Sequence, residues 1–167
     1  MGQGREAGEC HAHAGCVDQG VRCASKRDST PVDADQIAGG EGGIVFYFDA
    51  KAKKLMSQKS LHKDGIYSVA LLGDRMMSGS NDKERSCYYE NSDFNKFYNA
   101  HFAVFAVALS PELGAFTVGN GVRVIDKAGE IVRSIELDND IINYLLFAGE
   151  YLVGSGYNRY IYFWELK

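Results

Sequence analysis

The feature that most limits how this chain can fold is a pattern of small residues, a turn and an aromatic strand that returns four times. The copies are residues 38–49, 78–90, 117–126 and 154–165. Each opens on Gly or small neighbours, as in Ala38-Gly39-Gly40 and Ser78-Gly79-Ser80. Each closes on one acid, at Asp49, Glu90, Asp126 and Glu165, with spacings of 41, 36 and 39 residues. A period of about 40 residues implies a stack of small units rather than one continuous core, because each unit hides its apolar face only against a neighbour. Between the copies run apolar strands. Ile66, Val69, Leu71 and Leu72 are followed by Met76 and Met77 across a break at Gly73-Asp74. Residues 102–109 and 116–118 repeat this around Pro111, and residues 141–147 and 151–153 repeat it around Gly149-Glu150. Short strands with Gly or Pro turns are the pattern of an all-β repeat. Their near-continuous hydrophobicity predicts sheets covered on both faces.

The chain divides near residue 43. All twenty aromatic residues follow Gly43, whereas the first 43 residues carry seven acids, four bases and three of the four cysteines. A stretch without aromatics buries too little apolar surface to offset its ordering entropy, so residues 1–36 are expected to be disordered or poorly structured and residues 37–167 to form the folded part. Cys10, His11, His13 and Cys16, with Cys23 beyond, offer zinc-type ligands, but not at zinc spacing. Five residues separate the two cysteines, one separates the histidines, and no second pair follows. No metal and no cofactor is expected.

Charge narrows the function classes. A net charge of −4 argues against nucleic acid or an anionic membrane as the partner. The longest apolar run, residues 102–109, has eight residues, far short of the roughly 20 that cross a bilayer. No charged-then-apolar leader opens the sequence, and free cysteines suit a reducing compartment, so an intracellular location is expected, cytoplasmic or nuclear.

Taken together, the segments resemble WD-repeat β-propeller blades. Ser78-Gly79-Ser80-Asn81-Asp82 matches the family's small-Gly-small and turn-Asp pattern, and Trp164-Glu165 its terminal Trp-Asp. His62 and His101 precede apolar strands as the family's histidine does, and Ser110-Pro111-Glu112 resembles its Ser-Pro-Asp turn. Phe48, Tyr89 and Ile125 replace Trp in three copies, and Asp138 takes the histidine position of the last. The resemblance covers about residues 38–167. It implies an all-β fold of four-stranded antiparallel blades, an incomplete propeller of about three to four blades. A blade end would lie at 38–49, with repeats at about 54–90, 94–126 and 131–165.

His62, Ser78 and Asp82 fall in one repeat and would pass for a catalytic triad. The family's matching positions instead form a buried polar network, in which Asp holds His, His bonds Ser or Thr, and the terminal aromatic ends the chain. Here Tyr89 would supply that end, with His101 and Thr117, and Asn158 and Trp164, as partial versions. Ser78 has no Gly-x-Ser-x-Gly elbow, so no catalytic residue is expected and the chain is taken as a non-enzyme. The run from Gly39 to Gly43 lacks the Lys-Ser/Thr of a phosphate loop. Lys51, Lys53, Lys54 and Lys59 are too few for nucleic acid.

The resemblance implies a protein-binding scaffold that mediates assembly of a complex, docking through the turns before the inner and outer strands. Mapped here, these turns carry Lys63 and Asp64, then Asn81, Lys83 and Arg85. Phe102 and Asn120 follow, then Asn139 and Asp140, and last Tyr157 and Arg159. Rival readings are a zinc-binding N-terminal segment coupled to the propeller as a ubiquitylation adaptor, and a fragment of a propeller enzyme. Closed propellers have about four to eight blades. Three repeats and one earlier strand leave open edges, so the chain is expected to belong to a longer propeller or to associate with other copies or a partner, and not to behave as a compact monomer.

Overall fold

The structure, a computed structural model, describes Val17–Asp18 and Val21–Ser25 as backbone, and residues 36–166 in full. Among the described residues there are strands and turns and no α-helix, so no helix is long and apolar enough to cross a membrane. The strands form four antiparallel sheets, and in each the chain simply goes up and down. The first sheet contains β1 (Val17–Asp18), β2 (Val21–Ser25), β3 (Gln36–Gly39), β4 (Ile44–Asp49) and β5 (Lys54–Ser60). The second contains β6 (Ile66–Leu72), β7 (Arg75–Ser80), β8 (Cys87–Glu90) and β9 (Asn95–Tyr98). The third contains β10 (Val107–Leu109), β11 (Gly114–Val118), β12 (Gly121–Ile125) and β13 (Ile131–Glu136). The fourth has three strands, β14 (Ile142–Ala148), β15 (Tyr151–Gly156) and β16 (Ile161–Glu165).

Successive sheets meet through their inner strands. β2 and β3 lie against β6, β6 and β7 against β10, and β10 and β11 against β14. The result is an arc of four blades, an incomplete propeller that does not close on itself. Each sequence repeat is offset from its sheet by one strand: it begins on the last strand of one sheet and ends on the third strand of the next.

Alternation along the strands divides the apolar residues among three cores, one per junction. In β7, Met76 points to the first sheet and its neighbour Met77 to the third. In β8, Tyr88 and Tyr89 divide in the same way. In β11, Phe116 joins the core shared with the second sheet and Ala115 the core shared with the fourth. Successive side chains of a strand leave on opposite faces, so a sheet covered on both sides needs apolar residues at every position. Each fully buried side chain such as Met77, Tyr89, Phe116 or Ile125 contributes about 1.5–3 kcal/mol.

Two hydrogen bonds repeat at the junctions. The N–H of Ile66 donates to the carbonyl of Gly40 at 3.1 Å, and that of Val104 to Ser80 at 2.9 Å. They bring the incoming chain directly over Gly39 and Gly79. A methyl group on Gly79 would sit 2.6 Å from the Val104 side chain and 2.7 Å from its carbonyl oxygen. At these two junctions the glycine of the motif is therefore demanded by sheet-to-sheet approach, while in the third sheet Thr117 stands level with Gly79.

Three expectations need correction. Residues 102–109 form a strand only at Val107–Leu109. His101 takes a φ of 58°, the Val104 N–H turns to the preceding sheet, and the N–H groups of Phe105 and Ala106 go to the Thr117 hydroxyl, which breaks the ladder before Val107 although the Ala106 carbonyl still accepts from the Thr117 N–H. Next, Asn91 rather than Glu90 stands level with Asp49 and Asp126. The Asn91 side-chain oxygen accepts from Asp93 and Phe94 as those carboxylates accept from Ala52 and Glu130. Finally, residues 1–36 contain described strands: β2 pairs with β3, setting Arg22 opposite Gly39 and Ser25 opposite Gln36.

Gly79→Ala is expected to lower stability by about 1–3 kcal/mol, since an overpacked site must shift backbone. Gly42→Ala, at a position with open space around it, should change stability by no more than about 0.5 kcal/mol in urea unfolding.

Candidate functional site

In the second and third sheets the turn between second and third strands and the connection to the next sheet emerge at the same end, as do the β3–β4 turn and the β5–β6 connection of the first sheet and the β15–β16 turn of the fourth. All the expected docking residues lie on these connections: 61–65, 81–86, 99–106, 119–120, 137–141 and 157–160. The β3–β4 turn, residues 40–43, lies at this end too, its Gly43 carbonyl accepting from Leu61 and His62, and the opposite end carries the other hairpin turns of residues 36–166.

The second sheet holds a polar cluster at this end. His62 Nε2 lies 2.8 Å from Ser78 Oγ, and His62 Nδ1 lies 2.8 Å from the Arg85 carbonyl oxygen. A carbonyl only accepts, so Nδ1 carries the proton and Nε2 accepts from the Ser78 hydroxyl. Asp82 does not bond the imidazole. Its carboxylate accepts from the backbone N–H groups of Lys63, Glu84 and Arg85 at 3.0, 3.1 and 3.3 Å. The Ser80 hydroxyl adds bonds to the Asp64 and Gly65 carbonyls, which ties the two connections together.

Burial pushes the His62 pKa below its usual value, against the opposing pull of the Arg85 carbonyl and of Asp82. Burial works to raise the Asp82 carboxyl, but the three backbone N–H groups and His62 together hold it below the ordinary carboxylate value. A base beside a hydroxyl is the start of nucleophilic chemistry. Here Ser78 is 0 % and His62 4 % exposed, and the carboxylate that would orient the base is engaged with backbone. The cluster fixes two connections and is closed to solvent.

The expected extensions of this network do not form. Tyr89 does not bond Ser78; its hydroxyl crosses to the third sheet and donates to the Lys127 carbonyl at 3.0 Å. Opposite Ser78 in the ladder stands Tyr88. His101 is exposed and makes no bond to Thr117, whose hydroxyl instead accepts from Phe105 and Ala106. Four residues before Val104, the position matching His62 before Ile66, is buried Ala100, one residue away from the expected place. Asn158 makes no bond to Trp164; its N–H reaches the Asp140 carboxylate at 3.3 Å and its amide the Asn139 carbonyl at 3.5 Å.

The fourth sheet has a polar anchor that the sequence reading missed. The Tyr162 hydroxyl donates to Asp140 at 2.8 Å, and its ring stacks on Trp164 with centroids 5.5 Å apart. Asp140, assigned to docking from sequence, is only 2 % exposed, because it is this anchor. An acid just before an apolar strand, level with the turn motif, was the available signal.

The other docking candidates stand at the surface or partly so. Lys63 pairs with Glu84 at 3.2 Å, both well exposed, and Asn81 is half-buried with its amide on Asp64. Arg85 lies over the Phe97 ring at 4.9 Å and leaves its guanidinium at the surface. Phe102 is 61 % exposed, its ring seated beside Gly119, where an added methyl would lie 3.1 Å away. The Asn120 amide bonds the Leu137 carbonyl. Asn139, with a φ of 59°, Tyr157 and Arg159 are exposed, as is Lys83.

At the opposite end, a cleft of about 700 Å³ separates the second and third sheets. Gly73, Arg75, Phe94, Pro111 and Lys127 are among its walls. Arg75 donates from Nη2 to the Ser110 carbonyl, and its buried Nη1 has no protein partner. Among the described residues no group of acids, histidines and cysteines could hold a metal. Cys10, His11, His13 and Cys16 lie outside the described residues, and Cys23 is described only as backbone. Cys87 is buried, and burial raises its thiol pKa. The Gly40 carbonyl serves the sheet junction, and Lys59 pairs with Glu90 at 2.6 Å.

No protein-family model and no curated protein matches the chain. Its fold is similar to solved structures. The computationally designed Ika4 protein is 14 % identical, with a TM-score of 0.68 over 86 % of this chain and 90 % of that one. The designed Ika8 protein is 14 % identical, with a TM-score of 0.65 over 78 % of this chain and 42 % of that one. A chain of a mitotic checkpoint complex is 18 % identical, with a TM-score of 0.66 over 78 % of this chain and 45 % of that one. The chain thus spans less than half the length of the last two. At these identities the likeness is one of fold.

His62→Ala should cost about 1–3 kcal/mol for each buried group left unsatisfied, read as a lower urea midpoint. His62 titrates lower in the folded state, so acid favours the unfolded chain. Stability should be intact above the usual histidine value of 6.5 and fall as pH drops below it, and His62→Gln should flatten part of that slope in thermal melts.

Proposed function

We propose that this chain is a non-enzymatic, protein-binding scaffold of WD-repeat type, which docks partners on the end of the arc that carries the sheet-to-sheet connections. Phe102 is the observation that carries the reading. A large aromatic ring stands 61 % exposed on a connection whose backbone is held by neighbouring sheets, so its burial by a partner would need little ordering of the chain. Around it the same end offers charges of both signs on Lys63, Asp64, Lys83 and Arg85, and aromatic and basic groups on Tyr157 and Arg159. Aromatic and arginine side chains are those that interfaces enrich. Rigid frames that present loops are the usual supports for recognition.

Two further points support it. The pair that most resembles catalytic machinery, His62 and Ser78, is sealed under the connections it braces. One of the chains of similar fold is a component of a mitotic checkpoint complex, an assembly of proteins. Intracellular partners that are proteins, and not nucleic acid or membrane, agree with the net charge of −4.

The test is capture on the immobilised chain followed by mass spectrometry, repeated with Phe102→Ala and with Arg85→Ala. A partner held at this end should bind roughly thirtyfold more weakly to Phe102→Ala, the loss typical of an interface hot spot, with the melting temperature unchanged. Partners indifferent to both substitutions would place docking elsewhere and overturn the assignment.

A further inference from the structure

The free face of the fourth sheet is made like the faces that the second and third sheets bury. Matching bulges, at Ile66/Ser68 and at Ile142/Tyr144, set the sheets in common register. Along the ladders, Leu146, Val153, Ile161 and Phe163 are level with Ala70, Met77, Cys87 and Tyr89 of the second sheet. They are equally level with Ala108, Ala115, Val122 and Val124 of the third. In those two sheets the positions belong to the core shared with the sheet that follows. In the fourth, Phe163 is 66 % and Ile161 64 % exposed, and Tyr144, Leu146 and Tyr151 also face solvent. The edge is incomplete too: β4, β8 and β12 each pair with a further, outermost strand, and β16 has none among the described residues.

The first sheet carries the complementary half at the other end of the arc. Phe46 and Phe48 are level with Tyr162 and Trp164, which in the fourth sheet pack toward the sheet before it. Leu55, opposite Phe48, is 47 % exposed, and Met56 beside it is also exposed.

We infer that a second copy of this chain supplies both missing neighbours. The fourth sheet of each copy packs on the first sheet of the other, in two identical head-to-tail junctions. The complementarity needed is already written three times within the chain, since every internal junction joins a face of the one kind to a face of the other. Two copies of four sheets make a ring of eight, within the range of about four to eight blades in which propellers close. Closure satisfies both end faces of both copies at once, whereas a back-to-back pair of fourth sheets would leave both first sheets uncovered. This surface is separate from the docking end and does not depend on the proposed function.

Sedimentation velocity on the full chain at micromolar concentration tests the inference. The expected species has twice the 18.4 kDa of one chain. Phe163→Asp and Leu55→Asp both replace exposed side chains, so circular dichroism and melting should report intact folds. Each should weaken the dimer roughly thirtyfold or more. Mixing the two variants should restore a dimer through the one junction that retains both native faces. A monomer for the unmodified chain overturns the inference. So does a dimer sensitive to Phe163→Asp but not Leu55→Asp, which would be back-to-back, a dimer sensitive to neither, or an open ladder of larger species.

Discussion

Everything in this molecule depends on how closely one sheet can approach the next. The bond from Ile66 to Gly40, and its counterpart from Val104 to Ser80, draws the chain entering an inner strand over a glycine with no side chain to hold it off. Once that contact is made, the two inner strands are adjacent and the faces behind them close on a shared set of apolar side chains. Dispersion falls steeply with a gap of even half an ångström or so, so a sheet held slightly too far away would forfeit much of each core. The small residues of the repeat therefore do more than form turns. They set the distance at which the large residues become useful.

The same constraint explains what the sequence revealed and what it hid. The period and the doubly covered faces of the second and third sheets were legible, because they follow from spacing and from runs such as Met76-Met77 and Tyr88-Tyr89, where both neighbours must be apolar. β1 and β2, in a stretch without aromatics, were not. Register was harder. Glu90 and Asn91 are adjacent polar residues, and only the hydrogen bonds of the turn distinguish which one accepts from Asp93 and Phe94. Choosing Glu90 displaced the aromatic position by one, to Tyr89, whose hydroxyl serves the neighbouring sheet. His101 was misplaced by the same margin: a single residue separates buried Ala100 from an exposed histidine with positive φ.

Polar anchoring was legible only where it followed one pattern. His62 with Ser78 follows it, and Asp82 is near but turned to backbone amides. The fourth sheet joins its connection to its strand with Asp140 and Tyr162 instead, a different pair of residues for the same task. What the site requires is a satisfied polar bridge between a connection and a strand, and several side-chain combinations meet that requirement. A search for one residue type at one position finds only the copy that uses it.

The division of the apolar residues into three cores has a consequence for how the molecule opens. With no common centre, a sheet's hold on the whole is the sum of the junctions it shares, in the manner of a linear array. The second and third sheets each share two and the fourth shares one. In a copy without a partner, amide hydrogens in β15 and β16 belong to a unit that opens by undoing a single junction, while those in β7 and β11 exchange only when two are undone. The arc thus contains a gradient of local unfolding, from a firm middle to a looser last sheet, laid down by nothing more than position in the stack.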